Sequence, residues 1–264
     1  MFPILVEFGP ITIFSLWFFV VLGMLAGALL LTRLAKRNRI KLTLLSDHSF
    51  VLFLWVLLIS RLVFIIFHPS LYFTNFSIET VTGLFAIWDK GLSFWGGLVA
   101  WISGIVYLAK KEQENPVRLF EIMTPAILLG MLFGTIGVFL DGTAHGSPTE
   151  LPWGIAFSNA NVRYVSPVHP TQLYAFLYFG VTLGCVLFLL RRLRGTLPGI
   201  PVEIAIFLAS VFRFLEEFVR GDDVINLGPI RIPQLIALAI AIYMGHRLYK
   251  NKELKAVLQS LVKS

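Results

Sequence analysis

The sequence is short of charge: only 14% of its 264 residues are Asp, Glu, Lys or Arg, against about 25% in an ordinary globular chain. So few charges cannot cover a water-facing surface, which excludes a soluble fold. There is a single cysteine, Cys185, which excludes an internal disulfide framework and a multi-cysteine metal site. Residues 1–10 contain no Lys or Arg and no small-residue cleavage site follows the first apolar run, so a removable signal peptide is not expected. No alternation of period two is sustained, and no internal repeat of the transporter kind is visible. What the chain has instead is apolar: 57% AVILMFWYC, 24 Phe, 6 Trp and a mean hydropathy of +0.81.

A bilayer core takes roughly 20 apolar residues per helix. Seven runs of about that length lie between charged breaks, near 11–34, 49–67, 92–109, 119–140, 171–190, 200–219 and 232–248. An open sheet would leave its edges unsatisfied in lipid, so these predict helices. The expected fold is an all-α polytopic membrane protein, one domain over 1–264, with seven transmembrane helices.

The net charge of +7 could mark a nucleic-acid surface, but its distribution says otherwise. Arg33, Lys36, Arg37, Arg39 and Lys41 follow the first run. Lys110, Lys111 and Arg118 follow the third; Arg191, Arg192 and Arg194 the fifth; Arg247, Lys250, Lys252, Lys255 and Lys263 the seventh. The opposite side holds Lys90, Arg163, Arg220 and Arg231. The positive-inside rule then places the N-terminus outside, the C-terminal tail (249–264) in the cytoplasm, and the long connections 68–91 and 141–170 on the outer side. No nucleic-acid partner is expected. Long ordered connections are commonly functional, although these two could also simply cap the bundle.

Polar groups within the runs are costly. In VFRFLEEFVRGDD, Arg213 and Glu217 are i, i+4 and can pair on one helical face, with Glu216 close to it. Charges at membrane depth mark function by default, the alternative being a pair that only fixes packing. Arg61, in ISRLVF, fits substrate binding and packing equally well. In DGTAHGSPTELPWGIAF, the glycines at 142, 146 and 154 suit a tight loop that brings backbone close to a ligand. His145 and His169 are acid–base candidates by residue type, or ordinary capped histidines. Gly96 and Gly97 allow close helix approach; Trp95 is simplest as an interfacial aromatic, and Cys185 as apolar filler. A small transporter has this span count, but charge near the middle of several spans is lacking.

Six segments occur in order: EFGPITI (7–13), SRLVFIIFH (60–68), IWDKGLSFWGGLVA (87–100), GMLFGTIGVFLDGTAHGSPTELPWGIAF (130–157), VHPTQLY (168–174) and FRFLEEFVRGDD (212–223). Together they resemble, over essentially the whole chain, the prolipoprotein diacylglyceryl transferase family of bacterial inner membranes. The fourth is similar to that family's GRIGNFINGExxGxPTDLPWGVxF signature, the fifth to HPTQLYE, the sixth to GRFFxEFxRxxD. Several family positions are replaced: a tyrosine by Leu16, the SFHGG histidine by Trp95, the GRIGN arginine and asparagine by Thr135 and Val138, and the NGE asparagine and glutamate by Asp141 and Thr143.

The resemblance implies a membrane enzyme without cofactor or metal. It would move diacylglyceryl from phosphatidylglycerol to the lipobox cysteine thiol in the signal-peptide region of a prolipoprotein, releasing glycerol phosphate. Arg213, Glu217 and His169 are the candidate catalytic residues; Arg61, Gly142, His145, Gly146, Arg163, Gln172 and Arg220 are the candidate substrate contacts. The replaced positions leave open a second expectation, a catalytically impaired relative that binds phospholipid or precursor as a chaperone or regulator. Nothing in the sequence sets an oligomeric state.

Overall fold

The computed structural model describes residues 2–69, 72, 91–157, 166–193, 196–222, 224, 226–228 and 230–255. Most of the first outer connection, Arg163 in the second, and the end of the tail lie outside these residues. Two short strands, β1 (Ile4–Phe8) and β2 (Ile11–Phe14), precede α1 (Ser15–Asn38). A short α2 (Thr43–Asp47) leads into α3 (Ser49–Phe67), followed by α4 (Phe94–Lys111), α5 (Pro116–Asp141), α6 (Thr171–Leu193) and α7 (Ile200–Glu216). The strand pair β3 (Asn226–Leu227) and β4 (Ile230–Arg231) opens α8 (Ile232–Lys250). Among the described residues, therefore, each of the seven apolar runs contains one long helix.

Four of them, α1, α3, α5 and α6, are long and apolar enough to cross a membrane. Their surfaces agree: Trp17, Met24, Leu29, Phe50, Val51 and Leu177 are all at least 60% exposed, an arrangement that water would penalise and lipid accepts. The other three are shorter or more polar. α7 has 17 residues and carries Glu203, Arg213 and Glu216; α4 ends in Lys110 and Lys111; α8 includes Gln234, Arg247 and Lys250.

One expected boundary is corrected. The run expected as helix from Ile11 begins as strand, with Phe8 paired to Ile11 and Glu7 to Thr12 across the Gly9–Pro10 turn, where Gly9 has φ 56°. The β-branched Ile-Thr-Ile favours strand, and glycine supplies the left-handed turn residue. Helix begins at Ser15, whose N–H and hydroxyl donate to the Pro3 and Phe2 carbonyls.

The described residues form two compact units, Met1–Asn38 with Val117–Ser264, and Arg39–Pro116. In the first, α7 packs on both α6 and α8, and Leu128, Val186 and Ala205 join α5, α6 and α7 in a buried cluster. Small residues set the approach of α1 to α5: a Cβ added at Gly23 would lie 2.8 Å from the Gly130 carbonyl, and one at Gly27 2.8 Å from that of Ala126. Buried Glu121 of α5 accepts the Gly199 N–H at 2.6 Å, just before α7 starts. In the second unit α3 packs on α4, where a Cβ at Gly96 would lie 2.8 Å from Val63 Cβ.

Candidate functional site

The first unit holds most of the expected site residues, beginning where α5 stops. Gly142 takes φ 79° and donates its N–H to the Val138 and Phe139 carbonyls at 3.0 and 3.2 Å, a left-handed helix ending that glycine favours. The following loop is fastened to distant segments by its backbone. Gly146 N–H donates to the His169 carbonyl at 2.9 Å, Ser147 N–H to Val219 at 2.8 Å, and Thr149 N–H to Pro167 at 2.9 Å, while Ile155 and Val168 exchange bonds at 3.0 Å. The Thr171 hydroxyl donates to the Ala144 carbonyl at 2.5 Å, and the buried Gln172 amide to that of Thr143 at 2.6 Å. Segments 142–157, 166–172 and 217–222 thus form one knot, with Gly146 at its tightest point.

Against this knot lies a cluster of charges. Arg213 pairs with Glu216 at 3.3 Å and Glu217 at 2.5 Å; Arg220 pairs with Glu216 at 3.2 Å and doubly with Asp222 at 2.9 and 3.0 Å. Arg231 pairs with Glu217 at 2.6 Å and Asp222 at 2.7 Å. From α6 the Tyr178 hydroxyl donates to Glu216 at 3.1 Å, its ring stacked on Phe212. Buried carboxylates require such partners. Burial alone would raise the Asp222 pKa, but the Arg220 hydrogen bond and charge, with Arg231, prevail and hold it at about 2.

Two further features adjoin these charges. His169 Nδ1 lies 3.2 Å from the Tyr174 hydroxyl, which also accepts the Trp153 indole N–H at 2.8 Å. A cavity of about 420 Å³ runs between α6 and α7, lined by Leu177, Val181, Phe212 and Leu215, with Tyr178 and Glu216 also on its wall. An anionic headgroup and an apolar chain would each find matching chemistry here.

The family model for prolipoprotein diacylglyceryl transferase matches residues 3–249. The chain belongs to the prolipoprotein diacylglyceryl transferase family. Relatives named phosphatidylglycerol–prolipoprotein diacylglyceryl transferase include that of Geobacter sulfurreducens, 33% identical with 82% of each chain covered. That of Aeromonas salmonicida is 34% identical, covering 76% of this chain and 74% of its own, and that of Gloeobacter violaceus is 27% identical, covering 90% and 88%.

Within this transferase-family fold, Arg213, Glu217, Arg220, Gly142, His145, Gly146, His169 and Gln172 fall in one unit. Arg61 belongs to the other, where it donates to the Gly91 carbonyl at 2.9 Å and lies over the Phe64 and Tyr72 rings. These described contacts are of the packing kind. The replaced family positions take up quiet roles: the Thr135 hydroxyl turns back to the Leu132 carbonyl at 2.7 Å, Leu16 backbone lies against Gly137 beside Val138, Thr143 offers its carbonyl to Gln172, and Trp95 stands 57% exposed on α4. Sequence reasoning did not single out Arg231, Asp222 or Tyr178 as site residues, although Asp222 lies within the FRFLEEFVRGDD segment. Arg231 is 14 residues beyond Glu217, across the end of α7 and the β3–β4 strand pair, so no single element carries the two residues and no periodicity can be read between them.

Proposed function

We propose that the chain transfers the diacylglyceryl group of phosphatidylglycerol to the lipobox cysteine thiol of a prolipoprotein. Family membership over residues 3–249 carries this reading, and the charge cluster supports a reaction site beside Arg213. The thiolate sulfur attacks the glyceryl carbon, the carbon–oxygen bond to phosphate breaks, and glycerol phosphate leaves with the electron pair. Arg213 has the most exposed side chain of the three clustered arginines, 35% against 13% for Arg220 and 17% for Arg231. Its remaining N–H groups are our candidates for holding the phosphate as charge develops. Glu217 orients Arg213. His169 takes the thiol proton in the tautomer whose Nδ1–H donates to Tyr174, leaving Nε2 basic. Acyl chains lie along the apolar slot between α6 and α7, and Gly142, His145, Gly146, Gln172 and Arg220 are further candidate substrate contacts. Arg163 is a further candidate phosphate contact. We further infer that all seven long helices span the bacterial inner membrane, N-terminus outside, because the basic residues gather on alternate connections. A non-catalytic relative is the less favoured reading, since the relatives above all carry the transferase name.

Purified protein mixed with labelled phosphatidylglycerol and a lipobox peptide should yield the thioether and free glycerol phosphate by mass spectrometry. Arg213→Met should lower turnover by about hundredfold, as expected when a principal donor to developing charge is removed. Absence of product, together with failure to rescue cells depleted of their transferase, would overturn the reading.

A further inference from the structure

Arg231 stands outside every family motif quoted above, yet it completes the charge balance of the site. Among the described residues, three guanidinium groups, of Arg213, Arg220 and Arg231, face three carboxylates, of Glu216, Glu217 and Asp222. The Glu217 side chain is 0% exposed, and its two oxygens are divided between Arg213 at 2.5 Å and Arg231 at 2.6 Å. An ionised carboxylate buried to this degree needs a partner at each oxygen. Arg231 meets that need from β4, at the entrance to α8, and its second nitrogen reaches Asp222 at 2.7 Å. Both its strong contacts are thus to carboxylates, and it is fixed in place between them.

Among the described residues, removing Arg231 leaves three carboxylates facing two guanidinium groups. The surplus negative charge lies beside Arg213, where it draws that side chain inward and repels an arriving phosphate, an effect magnified by low dielectric. We propose that Arg231 is a positioning residue for the phosphate site. It neutralises Glu217 and Asp222, so that Arg213 keeps N–H groups available for the phosphate of the lipid headgroup. Arg231 acts through Arg213 and does not itself touch the lipid. This rests on the transferase reading for its ligand, but the charge argument holds for phosphatidylglycerol binding without turnover.

The experiment uses the full chain in mixed micelles with the mole fraction of phosphatidylglycerol varied, comparing wild type, Arg231→Met, Arg231→Lys, and Arg231→Met combined with Asp222→Asn. Arg231→Met should raise KM for phosphatidylglycerol about tenfold, with kcat and KM for the lipobox peptide much less affected. Arg231→Lys, which keeps the charge, should stay within about threefold of wild type, and Asp222→Asn should recover most of the loss in Arg231→Met by restoring neutrality. An unchanged lipid KM in Arg231→Met, or a double variant worse than the single, overturns the proposal. If Arg231→Met does not fold, Asp222→Asn alone decides: its surplus positive charge should lower the lipid KM, and an unchanged or raised KM refutes the charge argument. Equilibrium binding of phosphatidylglycerol without peptide separates the two readings. Wild type that binds but does not turn over defeats the transferase reading, while the same ranking of variants in binding still upholds Arg231.

Discussion

Gly146 donates to the His169 carbonyl, and a Cβ placed on it would lie 2.5 Å from both His169 Cβ and the Val219 carbonyl. Neither neighbour is the free end of a flexible side chain, so the knot must open to admit a methyl group. Gly146→Ala should cost about 1–3 kcal/mol of stability, the usual range for overpacking, and lower activity further by displacing His169 from Tyr174; thermal unfolding in detergent and the transferase assay together check this. Asp222 offers a pH test. Its folded pKa, about 2, lies below the ordinary 3.8, so its contribution to stability is complete above the ordinary value and disappears as pH falls through about 2. The difference in unfolding temperature between wild type and Asp222→Asn should be constant from pH 8 to about 5 and close between about 4 and 2. A difference that widens on acidification would show that the ion pairs with Arg220 and Arg231 are not what depresses the carboxyl. The sequence identified Arg213 and Glu217 because they are four residues apart on one helix. It could not identify Arg231, whose partnership with them depends on how the β3–β4 turn folds back.

At the level of elements, glycine decides how α1 meets α5. The spacing of Gly23 and Gly27, one helical turn, puts both on one face of α1, and an added Cβ at Gly23 would also lie 2.9 Å from Phe133 Cβ. Gly23→Leu should separate the two helices, destabilise the protein by about 1–3 kcal/mol and leave the peptide KM affected no more than the lipid KM, measured on detergent-purified protein. The long helices themselves were legible because apolar length is a one-dimensional property. The strands before α1 were not, since Ile11–Phe14 is as apolar as the helix it precedes; the Gly9–Pro10 turn distinguishes them only once pairing with Ile4–Phe8 is in view.

For the whole molecule, the sorting of basic residues makes a prediction about orientation that geometry alone does not. An alkaline phosphatase fusion after Lys263 should be inactive and a green fluorescent fusion there bright, with the reverse after residue 91; a bright fusion at 91 would invert the proposed topology. The knot at 142–157 and the charge cluster should then face the outer leaflet, the side on which a secreted precursor presents its lipobox cysteine.

By itself the sequence determined that this is a helical membrane protein, approximately where its helices run and which family motifs it carries, and it singled out Arg213, Glu217 and His169 as candidates. Those are matters of hydropathy, spacing and local order, which act along the chain. Only the tertiary structure decided that Arg231 and Asp222 complete the charge balance, that Tyr178 supports Glu216 from another helix, and that the Thr135 hydroxyl is absorbed by its own helix. Burial and ion pairing depend on what lies nearby in space, and a buried carboxylate such as Glu217 finds its second partner, Arg231, on a separate element beyond the end of its helix, where no periodicity carries over.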